Sequence, residues 1–373
     1  MTAAARPKIP LLLLVTIAAG LGALVLVALG HSAAERNLIL LCLLLPVAAR
    51  AGLRLGGSGT GLVVLGAASV AALGWLVWTM PAARAGFTPA FWLLVLGAWT
   101  LGWQTCAALS AARPRGLALQ RLVGVAVPLL FGAWLLLFWE LACRGFAIPQ
   151  VLLPAPSQVW ARILSDWPTL LADFRQTFLQ SVLIGYAIGC GSGFLAALAI
   201  DRVPFLKRGL LPVGNLVSAL PIVGVAPIMV MWFGFDWPSK AAVVVIMTFF
   251  PMLVNTIAGL DAAGRMERDL MRTYAASHGQ ALTKLRLPAA MPFVFNALKI
   301  NSTLALIGAI VAEFFGTPTV GMGFRISTEV GRMAIDMVWA EIAVAALAGS
   351  LFYGFVSLVE RLVTFWHPSF RAR

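Results

Sequence analysis

The chain is short of charge, and the charge it has is lopsided. Only 11% of its 373 residues are charged, with 14 acidic residues against 27 basic ones. Soluble domains carry about 25% charged and roughly 45–50% apolar residues. At 61% hydrophobic and a mean hydropathy of +0.94, this chain cannot stay dissolved as a globule. Histidine is nearly missing, and His31, His278 and His367 are too scattered for a metal site. The four cysteines, Cys42, Cys106, Cys143 and Cys190, form no C-x-x-C and lie in or beside apolar runs. That pattern excludes a disulfide framework and reads as small buried hydrophobes with free thiols. There is no G-x-x-x-x-G-K-[ST], so nucleotide hydrolysis has no cradle on this chain. The apolar runs are almost free of ionisable residues, which weighs against a proton- or sodium-coupled secondary transporter. A membrane enzyme would need His, Asp, Glu or Cys clustered at one face, and no such cluster stands out.

What the chain does have is long apolar runs. A span needs ~20 predominantly apolar residues to cross ~30 Å of hydrocarbon. Ten runs are candidate spans: 10–30, 37–50, 61–80, 90–110, 122–142, 177–200, 210–234, 240–260, 293–315 and 339–365, the second the weakest because it is short and contains Pro46. The first is too long for a signal-peptide core and is read as a retained span. Cytoplasmic loops are enriched in Lys and Arg. Placing both termini in the cytoplasm puts most of the basic residues inside, among them Arg113, Arg115, Arg121, Arg202, Lys207, Arg208, Arg265, Arg268, Arg272, Lys284 and Arg286. The net charge of +13 then faces anionic headgroups rather than nucleic acid.

The chain divides into two blocks. Residues 1–120 form a four-span N-terminal extension with plain loops and a sole acidic residue, Glu35. Residues 121–373 form a six-span core whose loops are longer and mixed in charge. The external loop 143–176 is interrupted by Pro149, Pro154, Pro156 and Pro168, and a loop of that length usually has local structure.

One segment breaks the apolar rhythm. MRTYAASHGQALTKLRLP, residues 271–288, is polar and basic yet reads as helix. Leu270, Met271, Tyr274, Leu282 and Leu285 recur at helical spacing, with Arg268 and Arg272 on another face. Pro288 and Pro292 are expected to close it. Pattern alone leaves two readings: a helix lying on the membrane surface, or one exposing a face to a soluble partner.

The loop at 261–292 is similar to the coupling loop of ATP-binding-cassette (ABC) importer permeases. Their consensus carries an acid and two alanines, then a glycine, and closes on a hydrophobic residue, any residue and Leu-Pro. Asp269 falls on the acid, Leu270-Met271 on the alanines, Ala275 on the glycine, and Leu285-Arg286-Leu287-Pro288 on the close. LLPAPSQVW (152–160), SALPIVGVAPIMVMWFGFDWPSKAAVVVIMTFFPMLVNT (218–256) and VAEFFGTPTVGMGF (311–324) resemble the nitrate/sulfonate/taurine (bicarbonate) type. LPAAMPFVFNALKINSTLALIGAI (287–310) leans to the thiamine-pyrimidine and riboflavin-like branch. The resemblance spans about residues 130–370.

It implies an all-α membrane protein with a six-helix type I importer core. Two copies form a pathway for a small polar or heteroaromatic solute, cytoplasmic ATPase subunits hydrolyse ATP, and an external binding protein delivers cargo. The permease itself is expected to be no enzyme and to bind no cofactor or metal. Asp269, Leu270, Met271, Tyr274, Ala275, Leu282, Leu285 and Pro288 are the expected ATPase-coupling residues. An ion-independent facilitator is the alternative, and it leaves the coupling-loop match unexplained.

Polar and backbone-breaking residues inside spans mark the pathway or gate candidates: Asn215, Ser218, Pro221, Asn255, Asn301, Thr303, Glu313, Gly321 and Gly323. Glu313 is expected to orient the 316–323 loop. Gly185, Gly189 and Gly193 form a smooth face for close helix packing, within one subunit or across a dimer.

Overall fold

The computed structural model describes residues 18–19, 89–111, 117–203, 205, 209, 212–214, 221–316 and 320–366. The expected spans 37–50 and 61–80, nearly all of 10–30, and the candidates Asn215 and Ser218 lie outside the described residues. All regular structure among the described residues is helical. With no water in hydrocarbon to satisfy backbone groups, apolar segments of this length fold that way.

The described residues fall into two compact units that meet in sequence at Ser157 and Gln158. In the first, α1 (Pro89–Ala111) packs on α2 (Leu117–Gly145). Trp99 sets its ring edge-on to Phe138 at 4.6 Å and to Trp134 at 5.7 Å. Gly102 lies beneath Trp134, whose indole fills the place a Cβ would take. At the end of α2, Glu140 accepts from Arg144 Nε (2.5 Å), Ser157 N–H (2.8 Å) and Ser157 Oγ (2.7 Å).

The second unit begins within a short amphipathic helix, α3 (Pro156–Ser165). It occupies part of the loop expected at 143–176. Four long helices and three short ones follow: α4 (Trp167–Asp201), α5 (Ile222–Phe233), α6 (Trp237–Asp261), α7 (Arg265–Thr273), α8 (His278–Glu313), α9 (Met322–Gly331) and α10 (Ile335–Val363). Five described helices are long and apolar enough to cross a membrane: α4, α6, α8, α10 and, over Gln120–Gly145, α2.

α6 is the centre of this unit, clasped by α4 on one side and α8 on the other. Along α4, Gly185, Gly189 and Gly193 are buried, and each replaces a clash. A Cβ at Gly185 would sit 2.7 Å from the Ala241 carbonyl, one at Gly189 2.9 Å from that of Val245, and one at Gly193 2.5 Å from that of Phe249. The glycine face therefore packs within the subunit. The core next to it joins Phe178 and Val182 (α4), Val244 (α6), Ala305, Leu306 and Ala309 (α8), Met322 (α9), and Ala345 and Ala348 (α10). Small residues on α8 and α10 let these backbones approach, and dispersion rather than water exclusion holds them together in lipid. Gly234 (φ +81°) turns the chain from α5 to α6. Asp236 then caps α6 by accepting from Trp237 N–H at 2.7 Å.

Two expectations need correction. The stretch 271–288 is not one helix: α7 stops at Thr273 and α8 begins at His278. Pro288 and Pro292 do not close the helix, since α8 runs through both. Just before Pro288 the turn widens to π-helix over Leu282–Arg286. That wider turn accommodates a residue whose ring would otherwise strike the preceding turn and which has no N–H to donate.

Candidate functional site

The connection between α6 and α8 is a rigid elbow. α7 ends with Ala276 N–H donating to Met271 O and Ala275 N–H to Arg272 O, both at 2.9 Å. This is a Schellman close, with Ala275 left-handed at φ +51°. Such a position ordinarily belongs to glycine, and the residue here is the one that falls on the glycine of the coupling-loop consensus. Ser277 then starts α8 through a capping box. Its hydroxyl accepts from Gln280 N–H (3.3 Å), and Gln280 Oε1 accepts from Ser277 N–H (2.8 Å). A cap of this kind satisfies two orphan donors at once, which is why the helix restarts here.

Two arginines fasten the elbow to the bundle. Arg286 meets Asp201, at the end of α4, in a bidentate pair of 2.6 and 2.7 Å. Its Nε also donates to Leu260 O at the end of α6 (3.1 Å). Arg268 donates to Asp261 O (2.7 Å) and Leu260 O (3.3 Å). These guanidiniums complete the terminal carbonyls of α6, a favourable place for positive charge. The apolar side chains of the elbow, by contrast, face outward: Met266 is 83% exposed, Tyr274 78% and Leu270 56%. Met271, Leu282 and Leu285 are half-buried, and Pro288 lies in the first turn after the π-helical segment. Asp269 is exposed and reaches Arg272 at 3.4 Å.

At the opposite end of the unit lies a buried polar cluster. Glu313 at the end of α8 is 1% exposed. It accepts from Thr177 Oγ1 (2.8 and 3.0 Å) and from Gly323 N–H (2.7 Å). Thr177 in turn accepts from Met322 N–H (2.8 Å). Asp173 accepts from Gly321 N–H (2.7 Å) and Arg325 Nε (2.8 Å). Its carboxylate holds the Arg325 pKa above the ordinary value. Gly321 has φ +143°, and a Cβ there would lie 2.8 Å from the Glu313 carboxyl. A Cβ at Gly323 would collide with the Ile310 carbonyl. Both glycines are thus where the chain closes over Glu313. Lys240, 2% exposed, donates to Phe235 O (2.5 Å) and Asp236 O (3.2 Å).

A chain with these two ends has recognisable relatives. The family model for the binding-protein-dependent transport system inner membrane component matches residues 185–365. The formylaminopyrimidine transport permease protein ThiX of Halalkalibacterium halodurans is 31% identical over 239 residues, which are 64% of this chain and 95% of that protein. The riboflavin transport system permease protein RibX of Chloroflexus aurantiacus is 29% identical over 261 residues, 69% and 96% of the two chains. The taurine transport system permease protein TauC of Escherichia coli is 27% identical over 249 residues, 63% and 87%. The chain belongs to the binding-protein-dependent importer permease family. It is a multi-pass transmembrane subunit that forms the translocation pathway of an ABC importer, and not an enzyme. In this family ATP hydrolysis resides on a separate subunit, and a substrate-binding protein completes the system.

The remaining polar residues of the permease are mostly tied to their own backbone or to neighbouring helices. Asn301 is fully buried between α8 and α6, donating to Thr248 O (2.8 Å) and Cys190 Sγ (3.2 Å). Asn255 donates to Pro251 O (2.8 Å), and Thr303 to Ile300 O (2.8 Å) from an exposed position. Pro221 is exposed at the start of α5. Lys299 pairs with Glu360 of α10 at 2.8 Å. Among the described residues, no group of His, Cys, Asp or Glu side chains could hold a metal ion. Asp173, Thr177, Lys240, Arg325 and Glu341 were not singled out in the sequence. Lys240 and Glu341 carried a usable signal, an ionisable residue at the edge of an apolar run. Asp173 carried none, because it reads as part of a polar loop.

Proposed function

We propose that the elbow formed by α7 and the start of α8 is the coupling helix of this permease. Asp269, Leu270, Met271, Tyr274, Ala275, Leu282, Leu285 and Pro288 are its working residues. The observation that carries this is the contrast between a backbone pinned by Arg268 and Arg286 and apolar side chains left facing outward. Met266, Leu270 and Tyr274 need a cover, and the ATPase subunit is the soluble partner of the family. A membrane surface would also accept an amphipathic helix, but exposed Asp269 and Arg272 beside these apolar groups fit a protein groove with polar edges better. In this reading both termini are cytoplasmic, ATP is used by the partner, and two copies of the chain enclose the pathway.

For the cargo, we take a small heteroaromatic solute. Its support is that the relatives named for formylaminopyrimidine and riboflavin transport reach 31% and 29% identity, against 27% for the taurine system.

Affinity purification in mild detergent followed by mass spectrometry tests the coupling assignment. Wild type is expected to bring down a chain with a Walker A motif. Asp269→Arg is expected to lose at least tenfold of that recovery and of ATP-driven uptake. Unchanged recovery and uptake in the variant would refute the assignment.

A further inference from the structure

The polar-cluster end of the unit contains a carboxyl group that coupling does not explain. Glu341, in the second turn of α10, is 0% exposed, and neither of its oxygens has a hydrogen-bond partner among donors. The group within hydrogen-bonding reach is another carboxyl, that of Asp173, also 0% exposed. Asp173 is already engaged as an acceptor, from Arg325 Nε and from Gly321 N–H. Two ionised carboxylates in contact, both out of water, repel each other and forfeit hydration, so such a pair keeps one proton. Both Asp173 oxygens already accept a hydrogen bond, whereas neither Glu341 oxygen does. The proton therefore belongs on Glu341, where it supplies the donor that the contact lacks.

We propose that Glu341 is a proton-binding site: as the neutral acid it donates a hydrogen bond to Asp173, completing a Glu341–Asp173–Arg325 latch. The latch joins α10, α4 and α9 and holds Gly321 at the turn into α9. The surrounding charges agree with a single bound proton. Glu341 faces Asp173 on α4, Arg325 on α9 and Glu313 on α8. Lys240 on α6 acts on Glu313, and Glu329 on α9 is paired with Arg332 at 3.1 Å. Lys240 and Arg325 supply two positive charges against the three carboxyls of Asp173, Glu313 and Glu341, so one bound proton leaves the cluster uncharged.

The consequence is a dependence on pH with a fixed sign. At lower pH the proton stays and the latch holds. As pH rises and the proton leaves, a second anion presses on Asp173 and competes for Arg325, so Gly321 and α9 loosen from α4. None of this rests on the coupling-loop reading, which concerns the other end of the molecule.

Infrared difference spectroscopy and amide hydrogen exchange on the full-length chain in lipid nanodiscs test the proposal without any transport assay. Wild type at neutral pH is expected to show a protonated-carboxyl band that Glu341→Gln removes and Glu313→Gln retains. As pH is raised that band is expected to fade, while exchange at residues 321–325 rises severalfold. In Glu341→Gln, whose amide N–H replaces the acid O–H as donor to Asp173, exchange at 321–325 is expected to stay low throughout. A band untouched by Glu341→Gln, or equal pH dependence of exchange in both proteins, overturns the latch. Should Glu341→Gln not be recovered folded, Asp173→Asn decides: it removes the anion that accepts from Glu341, so the band must shift, and an unshifted band overturns the proposal.

Discussion

Ala275 shows how much a single position can disclose. Its φ of +51° is a conformation that costs an L-residue with a Cβ roughly 1–2 kcal/mol and glycine almost nothing. The alignment on the coupling-loop consensus marks Ala275 as a departure from glycine, and the backbone shows what the glycine is for. Ala275→Gly is expected to stabilise the permease by about 1 kcal/mol, read as a higher Tm in detergent, with the ATPase still recruited. A lower Tm would mean that the alanine methyl makes packing contacts worth more than the backbone strain. Asn301 gives the opposite lesson at the same scale. A buried amide inside a span is a functional candidate by default, yet its donor is spent on Thr248 O and Cys190. In the folded chain that donor ties α8 to α6 and α4.

Among the elements, α8 is the one through which movement can pass, because it runs unbroken from the elbow at His278 to the polar cluster at Glu313. Its entry is gripped by the Asp201–Arg286 pair, with side chains 3% and 14% exposed. Removing one partner of a buried ion pair leaves the other uncompensated, at a cost of about 3–5 kcal/mol. Asp201→Asn is therefore expected to lower Tm and to detach elbow motion from α4. Each solute imported should then consume several times more ATP. The exchanged pair Asp201→Arg with Arg286→Asp should recover part of that coupling. If Asp201→Asn imports solute at the wild-type ATP ratio, the pair only stabilises the fold. The glycine face of α4 belongs to the same mechanics. With Ala241, Val245 and Phe249 carbonyls at Cβ-contact distance, α4 and α6 pack backbone against backbone.

At the scale of the whole molecule, the family match at 185–365 and the unit covering 158–373 both leave the first hundred-odd residues aside. The relatives, 95%, 96% and 87% covered, align to only 63–69% of this chain. We read the N-terminal extension, which lies outside the family match, as a lateral scaffold. Deleting residues 2–120 is expected to leave ATP-driven uptake within about twofold of wild type once expression is matched. Loss of uptake with the ATPase still bound would place part of the pathway in the extension.

What the sequence determined by itself was the class of the protein, and it marked the segment we propose for coupling. Twenty-residue apolar runs have one fate in a bilayer, and a polar, amphipathic interruption ending in Leu285-Arg286-Leu287-Pro288 is conspicuous against them. It also singled out Glu313, Gly321 and Gly323, because an acid and two glycines at the end of an apolar run stand out locally. Only the tertiary structure decided that the elbow is two helices and not one. The left-handed turn at Ala275 competes with continued helix by a margin that composition cannot resolve, and the Ser277 cap tips it. It likewise decided that Pro288 sits inside a helix, since π-helical widening leaves no mark in residue spacing. The Asp201–Arg286, Asp173–Arg325 and Glu341–Asp173 contacts join residues 85, 152 and over 160 positions apart. Such pairings follow from which helices lie side by side, a property of packed backbones that no local pattern records.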